Sequence, residues 1–313
     1  MNFRVTIIPV LLILVFVFYS CSSGPDFSQE GYKKYKSGDY MGSIRDYEKE
    51  IQTNSDNDSA YLMKGKAENL LGKYNEAIDD FTKAIELNKG FSAYFNRGIS
   101  YLSINDNLKA ESDFTDAIHF RYGSDSAYYC RGYVRTLLNK HEEALDDYNK
   151  AILLNPSFAN AYVNRGNLKS ELEDYQGAIE DYSISIDINP NDISAYFNRG
   201  YTFKLLGEYT LAIRDFDSII GVDSLNKEAY NLRGDSNLKL KNYAQAISDF
   251  SKLIELTPHD GKAFFNRGIS YLKLKKKKQG CSDLTKSSEL GYIEANAELT
   301  KNCKNPRLIN KKK

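Results

Sequence analysis

The sequence predicts an all-α protein, a linear array of about eight helix-turn-helix units closed by a C-terminal helix. Three observations predict it. The first is a glycine that returns at a near-constant interval: Gly31, Gly65, Gly98, Gly132, Gly166, Gly200, Gly234 and Gly268, in steps of 34, 33 and then 34 residues. A fixed period of this length marks stacked supersecondary units, not the one or two ordinary domains that 313 residues would suggest. The second is the set of positions that travel with the glycine. Four residues before it stands an aromatic in all eight units, from Phe27 to Phe264, and twelve after it a small residue, from Ser43 to Gly280. Sixteen after it is an aromatic in seven units, Tyr47 to Phe250, with Leu284 in the eighth; twenty after it is isoleucine in seven, Ile51 to Ile254. Spacings of four and eight put those side chains on one helical face. The third is proline. Pro156, Pro190 and Pro258 each lie 24 residues after a glycine, where a missing amide hydrogen stops a helix.

Composition narrows the function. Lys plus Arg and Asp plus Glu both number 42, so the chain has no net charge to draw it to nucleic acid, and none is expected as a partner. The 24 Tyr and 16 Phe need an interior to pack into, which argues against disorder. His119, His141 and His259 are scattered and no CxxC pair occurs, so no metal or other cofactor is expected.

The elements follow in chain order. Residues 1–20 place Arg4 before an apolar run from Val5 to Tyr19, too short for a membrane-spanning helix and fitting a secretory signal. Ser20-Cys21 directly after that run resembles the lipobox of bacterial lipoproteins. The resemblance implies removal of the signal and lipid on Cys21, anchoring the chain to a membrane of the bacterial cell envelope. An ordinary signal peptide or an uncleaved anchor is the alternative, and all three export the rest of the chain. Residues 21–26 then form a short tether.

Residues 27–290 hold the eight units. Their bulky, Gly, small, aromatic and terminal slots resemble the tetratricopeptide repeat, with Tyr or Phe in place of that family's usual Trp. The resemblance implies a right-handed α-solenoid in which no unit buries its apolar face alone, so neighbours must stack. The glycine of each first helix is expected to meet the small residue of the second. Asp recurs 15 residues after every glycine, from Asp46 to Asp283, and Arg precedes the glycine in six units, with Lys64 in another. These are expected to pair between a second helix and a neighbouring first helix; the alternative is a charged ligand surface. A capping helix is expected over 291–305, with Cys281 and Cys303 either bridged to hold it or left as two thiols, and a basic tail over 306–313. The run from Lys273 to Lys278 is expected to be solvated, with contact to an acidic partner or anionic lipid as the sharper option.

The resemblance also places the ligand-facing slots, six, three and two residues before the glycine and one, four and five after it, on first helices that line a concave wall. The slot two before holds Asn96, Asn164, Asn198 and Asn266, interrupted by Cys130 and Leu232. Flanking slots hold Phe95, Ile99, Tyr129, Tyr133, Phe197, Tyr201, Phe265 and Ile269. The superhelical domain of O-linked N-acetylglucosamine transferase uses asparagines at the matching slot to hold the backbone of an extended peptide. By that resemblance the twelve residues form a peptide-binding groove for an unidentified protein partner; the alternative is that the asparagines bond to neighbouring helices. No unit has Lys three before its glycine or Arg two before it, so the clamp that grips the terminal carboxylate of heat-shock chaperones is not expected. No GxSxG, HExxH or phosphate loop occurs, and adjacent carboxylates such as Asp79-Asp80 point about 100° apart on a helix. The chain therefore reads as a non-enzymatic scaffold, or else as a permanent structural subunit of an envelope complex.

Overall fold

The computed structural model describes residues 26–303. The signal at 1–20, Cys21 with most of the tether, and the tail at 306–313 lie outside the described residues. Among those described there are seventeen helices and no strand. The chain divides at Lys89 into two compact units.

Residues 26–89 hold α1 (Phe27–Ser37), α2 (Tyr40–Thr53), α3 (Asp58–Leu70) and α4 (Tyr74–Leu87). Residues 90–303 hold α5 (Phe91–Ser103), α6 (Asn107–Phe120), α7 (Asp125–Leu137), α8 (His141–Leu154), α9 (Ala159–Glu171), α10 (Tyr175–Ile188), α11 (Ile193–Leu205), α12 (Tyr209–Val222), α13 (Lys227–Lys239), α14 (Tyr243–Leu256), α15 (Gly261–Lys273), α16 (Lys277–Glu289) and α17 (Glu294–Asn302). Within each compact unit, every odd-numbered helix up to α15 packs against the next even one, and each pair stacks on its neighbour. The α-solenoid of eight helical pairs and a closing helix is the architecture the repeat predicts.

Local chemistry sets the helix ends. Side chains of Asp39, Asn57, Asp106, Ser124, Asp174, Asn226 and Asp260 accept from backbone amides of the first turn. Each first helix stops at a residue in the left-handed region seven after the repeat glycine. Glycine fills this place at Gly38, Gly72 and Gly207 and asparagine at Asn105 and Asn139, but Glu173, Lys241 and Lys275 adopt the same backbone at φ of 60–65°.

The side of the repeat glycine where a side chain would stand faces a ring. A Cβ on Gly65 or Gly166 would meet the ring of Phe81 or Tyr182 at 2.8 Å, and the same holds for Gly31, Gly98, Gly132, Gly200 and Gly234 against their own aromatic sixteen residues on. In the last pair, where Leu284 replaces the ring, Gly268 meets the small slot as expected, at the carbonyl of Gly280. The flat ring reaches across the helix crossing and needs the space a side chain would take. That close approach offsets the roughly 1 kcal/mol that a mid-helix glycine costs.

The recurring Arg and Asp are structural. Nε and Nη2 of Arg97, Arg131, Arg165, Arg199, Arg233 and Arg267 donate to Asp113, Asp147, Asp181, Asp215, Asp249 and Asp283 at 2.6–3.0 Å. The neighbouring helix is thus the second helix of the same pair. From Arg131 onward Nη1 also reaches the preceding pair, to Thr115, Asn149, Ser183, Asp217 and Ser251 in turn. Each guanidinium lies 5.4–5.7 Å from the ring of the aromatic four before the glycine. One arginine thereby fixes two crossings, which a lysine cannot do.

Candidate partner-binding wall

Successive first helices touch one another from α7 through α9, α11 and α13 to α15, so their shared outer faces form one continuous wall. The sequence-predicted groove residues all lie on these helices or on α5, but they do not do one job.

The asparagines are tied into the stack. Asn164 Nδ2 donates to the Tyr129 hydroxyl of the preceding pair at 3.0 Å. Asn198 Nδ2 donates to Asn167 Oδ1 at 2.8 Å, and Asn266 Nδ2 to Asp235 Oδ1 at 3.2 Å, in each case one helix back along the wall. Asn96 Nδ2 donates to its own helix, at Ser92 O. The bonds of Asn164, Asn198 and Asn266 hold first helices together.

The aromatics three before the glycine are half-buried and pack against the core. Phe95 stacks on Phe91 and tilts against Phe114; Tyr129 lies 4.8 Å from Phe158; Phe265 lies 5.1 Å from Tyr292 at the closing helix. Burial pushes the Tyr129 hydroxyl up from its ordinary pKa. Phe197 packs against the buried cluster around Phe216 and stacks on Tyr201. The slot one after the glycine is the open one. Tyr133 is 40% exposed and Tyr201 45%. Ile99 and Ile269 beside them are half-buried. Cys130, which interrupts the asparagines, is a free thiol that burial pushes up to about 12, unsuited to thiolate chemistry at neutral pH.

At its far end the wall is covered. A disulfide joins Cys281 of α16 to Cys303 after α17, with the two Cα atoms 5.6 Å apart. Just before that cover lies a cleft of about 400 Å³ lined by Lys204, Asp235, Leu238, Lys239, Tyr243, Lys262, Asn266, Ile269 and Lys273. The four lysines occupy the outer slots of the same pattern, six before the glycine and four and five after it, which the asparagine ladder does not use. Reading those slots along the sequence finds them. No group of three or more His, Cys, Asp or Glu among the described residues is arranged to hold a metal ion.

Comparison with known proteins agrees with this geometry. Two models described as tetratricopeptide repeat match residues 59–91 with 126–158, and 197–261, and a model described as TPR repeat matches 169–207; together they span just over half of the chain. Among solved structures, MamA is 27% identical over 51% of this chain and 94% of its own, at a TM-score of 0.50. YrrB, titled a TPR protein with an unusual peptide-binding site, is 22% identical over 60% of this chain and 97% of its own, at 0.55. The C-terminal part of a TPR repeat-containing protein from Cytophaga hutchinsonii is 15% identical over 77% of this chain and 99% of its own, at 0.66. The latter two likenesses bear on fold alone. No curated protein matches the sequence.

Proposed function

We propose a function from one premise: this chain is a tetratricopeptide-repeat protein. Proteins of this kind are generally scaffolds for protein–protein interaction and typically have no enzymatic role. Within that class we read the chain as an exported scaffold, held to a membrane of the bacterial cell envelope by lipid on Cys21, that binds an extended segment of a protein partner along its wall of first helices. The observation that carries the binding part is Tyr133 and Tyr201, large rings open to solvent on the wall. Exposed aromatics that give up little side-chain freedom on binding are common anchors of interfaces. The amides of Asn198 and Asn266 keep a second donor for a peptide backbone after making their bonds along the wall. The anchor rests on the apolar run and Ser20-Cys21.

One fractionation experiment tests both parts. Cells expressing tagged wild type, Tyr133→Ala/Tyr201→Ala or Cys21→Ser are cross-linked, and membrane and soluble pools are compared. The tyrosine double variant is expected to stay helical and to lose at least tenfold of the captured partner, as removal of two interface anchors implies. Undiminished capture would show that the wall is not the binding surface. Cys21→Ser is expected to accumulate with its signal uncleaved, and normal processing of that variant would dispose of the lipid anchor. A partner that co-purifies at fixed stoichiometry and resists competition by peptides would favour a permanent structural subunit.

A further inference from the structure

The wall of residues 90–303 changes character along its length. On α5, α7 and α9 its ligand-facing slots carry a single charged residue, Glu171. On α11, α13 and α15 they carry Lys204, Lys239, Lys262 and Lys273 together with Glu228 and Asp235, and the structure gathers the four lysines and Asp235, but not Glu228, around one cleft. Asp235 is the only carboxylate lining that cleft. Its charge is already engaged, by Lys204 at 3.2 Å and by the Asn266 amide at 3.2 Å. Among the described residues no ion pair engages Lys239, Lys262 or Lys273. Three ammonium groups thus share a concave surface with no counter-charge of their own. Their mutual repulsion raises the affinity of the cleft for negative charge. Leu238, Ile269 and Tyr243 add apolar surface between them.

We propose that this cleft receives an extended acidic segment of a protein partner, about six residues long and carrying two or three Asp or Glu side chains; this rests on the reading of the wall as a partner-binding surface. The length follows from the helices. Neighbouring axes lie about 9 Å apart, so α11 to α15 spans about 20 Å, which an extended chain covers in about six residues. The lysines are distributed over three helices and do not converge on one point. They therefore suit charges spaced along a chain better than one compact anion. The chain's own C-terminal segment cannot be the occupant on charge grounds, since 304–313 reads KNPRLINKKK. The bound groups are side-chain carboxylates, because the slots three and two before the glycine carry no cation to hold a chain terminus.

The test uses the full chain in detergent and a fluorescein-labelled ten-residue peptide of alternating Glu and Asp with both ends blocked, read by fluorescence anisotropy. A peptide with Gln and Asn at every acidic position is the control. The acidic peptide is expected to bind at least tenfold tighter than the control, and to weaken about tenfold between roughly 0.05 and 0.5 M salt as screening takes hold. Lys239→Glu/Lys262→Glu, at exposed positions, is expected to keep its far-ultraviolet dichroism and lose at least tenfold in affinity. Asp235→Asn, which releases Lys204 yet keeps an acceptor for Asn266, is expected to bind the peptide a few-fold tighter, a gain that a purely structural role for Asp235 would not give. Equal binding of the acidic and amide peptides, or insensitivity to the double lysine reversal, would overturn the proposal. So would anionic phosphatidylglycerol vesicles that bind through the same lysines when the acidic peptide does not. If the acidic peptide fails while Tyr133→Ala/Tyr201→Ala still abolishes partner capture, the wall stands as the binding surface and only the acidic partner is wrong.

Discussion

The two compact units solve one problem with different residues. Each second helix carries a buried aspartate that needs a donor. In residues 90–303 a two-pronged guanidinium meets it in all six pairs, and from Arg131 onward the third nitrogen reaches back to the preceding pair. In residues 26–89 the donors are lysines. Lys34 pairs with Asp46 from a position one helical turn further on, and Lys64 stands where the arginines stand. Lys64 faces Asp80 at 3.1 Å and also Glu68 at 3.6 Å, so one point charge serves two buried carboxylates. The comparison teaches that the same repeat skeleton is locked in one unit and underdetermined in the other. A fork fixes both distance and direction; an ammonium fixes neither.

The largest effect should come from opening a fork. Arg199→Ala strands the buried Asp215 and also removes the bond to Ser183, so local stability around α11 and α12 should fall by about 3–5 kcal/mol. Lys64→Gln should cost less, about 1 kcal/mol, because the amide still donates to Asp80 and Glu68 can hold a proton. Hydrogen exchange resolved by helix measures both, which matters because repeat arrays unfold in parts. Equal losses at the two sites would remove the distinction between fork and point charge.

The disulfide comes next. Cys281 and Cys303 close a segment 22 residues apart, and opening a loop of that size costs about 3 kcal/mol in the chain-entropy picture. Cys281→Ser/Cys303→Ser should let α17 fray and uncover the ring of Phe265, now against Tyr292, with protection lost in α16 and α17 and kept in α5 to α9. Loss of protection reaching α9 would mean that residues 90–303 behave as one cooperative block, and not as pairs pinned one at a time by their forks.

What the sequence discloses depends on whether a role demands one residue type. The helical pairs were legible because the glycine, the ring sixteen residues on and the aspartate tolerate almost no substitution. The left-handed turn was not, because Gly38, Asn105, Glu173 and Lys275 all fill it and only their backbone agrees. The ring that faces the glycine was not legible, because spacing gives the face of a helix but not the reach of a side chain. Phe95 and Tyr129 read as wall and lie half-buried there, each also bridging to a neighbouring ring because an outer-face side chain this large reaches past its own helix. The bonds of Asn198 and Asn266 were invisible for a related reason. Their acceptors 31 residues back are Asn167 and Asp235, a slot whose identity changes from pair to pair, so no recurring couple marks them.

Glu68 carries the comparison between the units into pH. This side chain is only 4% exposed. Burial first, then the neighbouring Asp80, push its carboxyl up to about 8, against the pull of Lys64. In the unfolded chain the same carboxyl has its ordinary pKa of 4.5. Between those two values the folded state holds a proton that the unfolded state has released, so the stability of α3 and α4 should fall as pH rises from about 4.5 to about 8. Glu68→Gln keeps a neutral donor beside Asp80 at every pH. It should flatten that slope and stabilise α3 and α4 above pH 8, read as protection in hydrogen exchange after correction for the intrinsic rate. No carboxylate replaces Glu68 at the matching positions of the other unit, which hold Tyr101, Arg135, Lys169, Phe203, Asn237 and Tyr271. Burial raises Asp215 as well, by less, so the same titration across α11 and α12 should show a smaller fall, and an equal decline there would assign the pH dependence to the aspartates common to every pair.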